Sequence, residues 1–120
     1  MKRIATAFVA LAVLASPAAM AQGKMPYDAA EFAKRADRVA LIALMLSEGF
    51  PAETRNLPHS ELKPAMWANR ADFDAKMKDL VDRSATLATV AKIGDFAKSK
   101  AAFFDTANTC KACHDKYKNE

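Results

Sequence analysis

The sequence predicts an all-α protein, an antiparallel helical bundle with three helices after residue 21, and three observations carry that expectation. Apolar residues recur three and four positions apart over long stretches, which is the period of one helix face. Strand signals are missing: β-branched residues are few, no stretch alternates apolar with polar, and only three glycines serve for tight turns. Each helical stretch is also marked off by residues that cap or stop a helix.

Residues 1–21 read as a bacterial-type secretory leader. Lys2 and Arg3 give a positive start, Ile4 to Ala15 is apolar, Pro17 breaks the run, and Ala19-Met20-Ala21 is a small-x-small cleavage site. An apolar run of about 12 residues is short for a bilayer, which takes about 20. An uncleaved anchor is the weaker reading, and no stable membrane span is expected. Cleavage places the mature chain, residues 22–120, in the periplasm as one domain. Loss of Lys2 and Arg3 removes two of the 18 basic residues and lowers the formal net charge from +4 to +2. Charges of both signs are interspersed without a basic run among aromatics, so nucleic acid is not an expected partner.

The first helix should start after Asp28, whose carboxylate can cap free amides, with Glu31 completing a capping-box pair. Phe32, Ala36, Val39, Ala43 and Leu46 form its apolar stripe, and Gly49 and Pro51 end it. Residues 41–46 are apolar all round, which predicts burial on more than one side. Residues 50–69, with Pro51, Pro58 and Pro64, make a connection long enough to frame a site, and Phe50 and Trp67 should pin its ends. The second helix is expected over residues 70–92, with Phe73, Met77, Leu80, Ser84, Leu87 and Ala91 at heptad spacing. Gly94 closes it and Asp95 can cap a third helix over residues 96–118. On that last helix Phe96, Phe103, Ala107, Cys110, His114 and Tyr117 share one face, which predicts that thiols, imidazole and phenol face the interior together.

The chemistry sits near the C-terminus. Cys110-Lys111-Ala112-Cys113-His114 has the Cys-x-x-Cys-His spacing of c-type haem attachment, and these are the only two cysteines. Two thiols three residues apart can bond the two vinyl groups of one haem, and the adjacent histidine can give the iron an axial nitrogen. A thioredoxin-like pair needs a βαβ context that this chain lacks. A structural zinc site needs four ligands, and His114 with the remote His59 completes the set poorly.

Cys-Lys-Ala-Cys-His-Asp-x-Tyr-Lys on the last helix resembles the class II c-type cytochromes, most closely cytochrome c′. Met25-Pro26-Tyr27-Asp28-Ala29-Ala30 and Lys63-Pro64-Ala65-Met66-Trp67 are similar to that family too, so the likeness covers residues 24–120. In class I cytochromes c the motif lies near the N-terminus, with a methionine ligand far downstream, and no methionine follows His114 here. The resemblance implies a bundle of the cytochrome c′ type, which is a four-helix fold. It also implies one covalent haem c held by Cys110 and Cys113, with His114 as axial ligand of the iron and Tyr117 at the site. A basic residue four positions after the ligand lies near its imidazole in the family, and Lys118 matches that place; the plainer reading of Lys118 is a solvated cation favourable to a helix C-terminus. Two departures stand out. Ala65 replaces a glutamate that the family carries, and the family's first helix has no counterpart among residues 22–120. That helix supplies the distal residue, an arginine near the propionates and much of the dimer contact. Its loss bares the haem and residues 39–46, leaving three outcomes: the leader packs there as a fourth helix over residues 3–21, a second subunit covers the gap, or the protein is unstable.

The leading function is one-electron transfer with a periplasmic redox partner protein. Lys76, Lys92, Lys98 and Lys111 are read first as solvated surface, with steering of an acidic partner as the second reading. A different class is nitric oxide or carbon monoxide binding at a five-coordinate haem, as the resemblance implies. The presence of a sixth ligand separates the two, and Met25, Met45, Met66, Met77 and His59 are the candidates, each read first as core or loop. A homodimer fits either. A truncated, haem-poor remnant is the third reading. No set of side chains resembles a catalytic constellation, so an enzyme is not expected.

Overall fold

The caps at Asp28 and Asp95 set the helical register, in a computed structural model that describes residues 26–120. The helix expected over residues 3–21 lies outside the described residues. Within them, α1 spans Ala29–Met45, α2 is a single turn at Ala65–Ala68, α3 spans Arg70–Ala91 and α4 spans Phe96–Tyr117. The Asp28 carboxylate accepts the Glu31 amide at 2.9 Å, and that of Asp95 accepts the Lys98 amide at 2.8 Å. The reciprocal arm of the capping box does not form. Glu31 turns forward to Arg35 at 2.9 Å and Lys34 at 3.6 Å, the ordinary pairing one turn along a helix. α1 stops at Met45, earlier than Gly49 suggested, and tightens into a 3-10 turn over Leu46–Gly49.

α3 is the middle of the bundle, antiparallel to α1 on one side and to α4 on the other. Ala36 of α1 packs with Leu87 and Ala91 of α3, backed by Phe32, Ala33 and Ala102. A second cluster joins Met66, Phe73 and Tyr117, with Phe50, Leu62, Trp67, Met77 and Cys113 around them. Phe50 and Trp67 therefore pin the connection as expected. Arg70 bonds the Phe50 carbonyl at 2.7 Å and, with Arg55, lies over the Trp67 ring.

Two expectations about burial are corrected. Of residues 41–46 only Ala43 is buried; Leu41, Ile42, Leu44, Met45 and Leu46 are exposed, because α3 covers one side of α1 and no other described element reaches the rest. On α4 the buried residues are Ser99, Thr106, Thr109 and Tyr117, so the helix is rotated away from the Phe96–Phe103 face. Short hydroxyl side chains let α3 and α4 approach closely while the helix backbone satisfies them. The Thr106 hydroxyl donates to the Ala102 carbonyl at 2.9 Å, and that of Thr109 to the Thr106 carbonyl at 2.7 Å.

Candidate haem site

The motif lies in the last two turns of α4, where i, i+3, i+4 and i+7 bring Cys110, Cys113, His114 and Tyr117 to one side. All four border a cleft of about 380 Å³ between α4, α3 and the connection. Met77 and Leu80 of α3, with Leu46, Phe50, Leu62 and Phe73, make its wall apolar. Lys76, Glu61 and Lys118 stand at its border.

The four residues enter to different depths, which corrects the expectation that all face the interior. Tyr117 is buried, the two cysteines are half-buried, and His114 is exposed because no described element covers its side of the cleft. Cys113 reaches the Met66–Phe73–Tyr117 cluster, and burial pushes its thiol up from its ordinary pKa. The Tyr117 phenol donates to the Asp72 carboxylate at 2.5 Å, and the Lys116 ammonium donates to the same oxygen at 2.9 Å. Asp72 is held below its ordinary value, first by the Tyr117 hydrogen bond and then by that of Lys116. The phenol is pushed up, first by burial and then by its bond to Asp72.

Lys118 is exposed at the C-cap of α4. It leaves α4 in extended conformation and pairs with Glu61 at 3.0 Å. Its backbone forms an antiparallel bridge with Leu62, and the Lys63 and Asn119 amides donate at 2.7 Å to the Tyr117 and Glu61 carbonyls. The connection is thus stitched to the end of the motif helix. Sequence reading missed this clamp and Asp72, since neither falls at a helical spacing from the motif.

Among the sixth-ligand candidates, Met77 alone borders the cleft. Met66 is fully buried beside it, Met45 is half exposed on α1, and His59 is an exposed loop residue with φ 61°. Met25 lies outside the described residues. Of the lysines read as steering cations, Lys92 pairs with Asp37 at 2.9 Å and Lys111 pairs with Asp115, while Lys76 and Lys98 form no ion pair among the described residues.

The residues fit a haem. The cleft is within the roughly 300–1,000 Å³ of ligand pockets, its walls are apolar, and it brings two thiols and an imidazole to one side. Lys76 stands at its border with the Lys118–Glu61 ion pair.

Comparison with known proteins agrees. The cytochrome c′ family model matches residues 2–118. Cytochrome c′ of Rubrivivax gelatinosus is 38% identical over 103 residues, 86% of this chain and 80% of that protein. The solved cytochrome c′ of Shewanella frigidimarina superimposes with a TM-score of 0.77 at 43% identity, covering 86% of this chain and 80% of its own. A nitric oxide complex of a mutant cytochrome c′ from Alcaligenes xylosoxidans superimposes at 0.73 with 30% identity, covering 84% and 78%. Cytochromes c′ bind one covalently attached haem c. With its helical bundle, cleft and thiol pair, the chain belongs to the cytochrome c′ family.

Proposed function

We propose that this chain is a periplasmic haem carrier, not an enzyme, that exchanges single electrons with a partner protein. The observation that carries the reading is the cleft itself, with Cys110, Cys113 and His114 along one apolar pocket. Cys110 and Cys113 would hold the haem by thioethers, and His114 would offer an imidazole nitrogen to its iron. When bound, the haem supplies a ferric–ferrous couple or a site for a diatomic ligand. The rest is done by the protein. Phe73, Met77 and Leu80 line the apolar wall that would keep water from the haem, Tyr117 packs against Cys113, and the clamp at Lys118 fixes the end of the motif helix. Lys76 presents positive charge beside the cleft to an acidic partner.

The bare side of the cleft supports a second reading, binding of nitric oxide or carbon monoxide. A solved relative is a nitric oxide complex. An absorption spectrum of the purified haem protein, reduced with and without carbon monoxide, separates the two. A high-spin ferrous spectrum that shifts with carbon monoxide means an open iron. A low-spin spectrum unmoved by the gas means a sixth protein ligand, with Met77 the residue to replace. No haem absorption refutes both and leaves the haem-poor remnant. A homodimer belongs to this proposal as well. One solved cytochrome c′ shows ligand-controlled dimer dissociation, and here Leu41, Leu44 and Met45 give α1 an apolar outer side for a second copy.

A further inference from the structure

Asp72 and Tyr117 meet where the first turn of α3 faces the last turn of α4. The Tyr117 side chain is almost wholly enclosed, 1% exposed, with its ring edge-on to Phe73 at 5.7 Å and against Cys113 and Met66. Phe73 in turn meets Phe50 edge-on at 4.9 Å, so three rings run in a row and the last of them abuts a motif cysteine. A phenol this deep needs a partner for its hydroxyl, and the Asp72 carboxylate accepts it at 2.5 Å. The carboxylate is itself well placed. It lies in the first turn of α3, where free amides and the helix dipole favour negative charge, and Lys116 donates to the same oxygen at 2.9 Å. Asp72 is not among the residues that line the cleft, whose wall α3 supplies from Phe73 onward. It reaches the site through Tyr117.

We propose that Asp72 is a positioning residue for the haem: by accepting the Tyr117 hydroxyl it locks the ring against which Cys113 packs, and so fixes the direction from which the Cys113 sulfur enters the cleft. The proposal rests on the haem reading above. A haem bonded to a sulfur of fixed direction keeps one orientation and one degree of distortion, and distortion of the ring is one of the levers by which a protein sets a haem potential.

The bond carries this effect, and the charge of Asp72 does not. Its side chain is 42% exposed, so water and salt screen its field. Lys116 neutralises it directly, and Lys76, one turn along α3, adds positive charge on the same side. A hydrogen bond from a buried hydroxyl to a carboxylate is directional and holds its geometry under that screening.

The test uses the full chain, exported and matured with its haem, as wild type, Tyr117→Phe, Asp72→Ala and the double variant. Tyr117→Phe keeps the ring and the charge of Asp72 and removes only the bond. Each single variant should change the circular dichroism of the haem Soret band and shift the reduction potential in the same direction. The double variant should do no more than the larger single one, since both remove one interaction. Hydrogen exchange in the last turn of α4 should quicken about tenfold in each, the loss of one hydrogen bond to a charged group. Asp72→Asn, which keeps an oxygen for the hydroxyl without the charge, should retain the wild-type dichroism. Asp95→Ala, which removes the cap at the other end of α4, controls for plain loss of stability and should move neither dichroism nor potential.

Unchanged dichroism and potential in both single variants, with only exchange affected, would make Asp72 a structural anchor and overturn the proposal. A shift in Asp72→Ala and Asp72→Asn without one in Tyr117→Phe assigns the effect to charge and overturns it equally. A wild-type mass without haem refutes the haem reading and the proposal with it, whereas every other failure leaves the haem in place and counts against Asp72 alone.

Discussion

Asp72 is the residue on which the end of the motif helix leans, and it makes a pH-dependent contribution. Its carboxyl is held below the ordinary carboxylate range by the Tyr117 phenol and then by Lys116. A depressed carboxyl stabilises the fold above its unfolded pKa, and that stability is lost as pH falls through the lowered folded value. Thermal melts of wild type and Asp72→Asn should therefore differ most at neutral pH, with the gap starting to shrink near the ordinary aspartate value of about 4 and closing as pH falls through the lowered folded value. A constant gap from pH 7 to pH 3 would refute the link. At this scale the motif was legible, because bonding two vinyl groups and an iron dictates Cys-x-x-Cys-His. Asp72 was not, since it meets Tyr117 across 45 residues of sequence. The exposure of His114 was misjudged for another reason: periodicity tells which residues share a face but not whether anything covers it.

Elements were read well at their starts and less well in their rotation. Asp28 and Asp95 cap as the sequence suggested, and Asp95→Ala should cost about 1 kcal/mol in urea unfolding. Gly94 has φ +79°, a conformation that costs residues with a Cβ about 1–2 kcal/mol. Among the described residues, a Cβ added there would meet only that of Ala29, at 3.7 Å. Gly94→Ala should therefore destabilise by that amount through backbone strain alone, without perturbing the haem spectrum. The rotation of α4 was harder to see. Ser99, Thr106 and Thr109 look solvent-facing in a sequence, yet their hydroxyls bond backbone carbonyls or the Tyr27 hydroxyl and go inside. The aromatic residues that looked like core, Phe96 and Phe103, stand half exposed instead.

Across the whole molecule, the antiparallel order of the long helices followed from their apolar stripes and stops, and the structure keeps it. Leu87, 2% exposed between α1 and α3, is central to that packing. Leu87→Ala should cost about 2–5 kcal/mol by calorimetry or denaturant titration. A loss under 1 kcal/mol would mean that the two helices hardly depend on each other. The side on which the bundle stays bare was legible only as an expectation, because a covering partner leaves no periodic mark on the residues that it covers.

The pairing of residues 61–63 with residues 117–119 has a kinetic meaning. Bringing together ends so far apart in sequence costs closure entropy, and a few backbone hydrogen bonds and one surface ion pair hold them. Such a seam opens at lower free energy than the helix packing beneath it. In the haem-free chain, low urea should therefore speed alkylation of Cys113 before the far-ultraviolet helix signal falls, so that the cleft has a door that opens while the house stands.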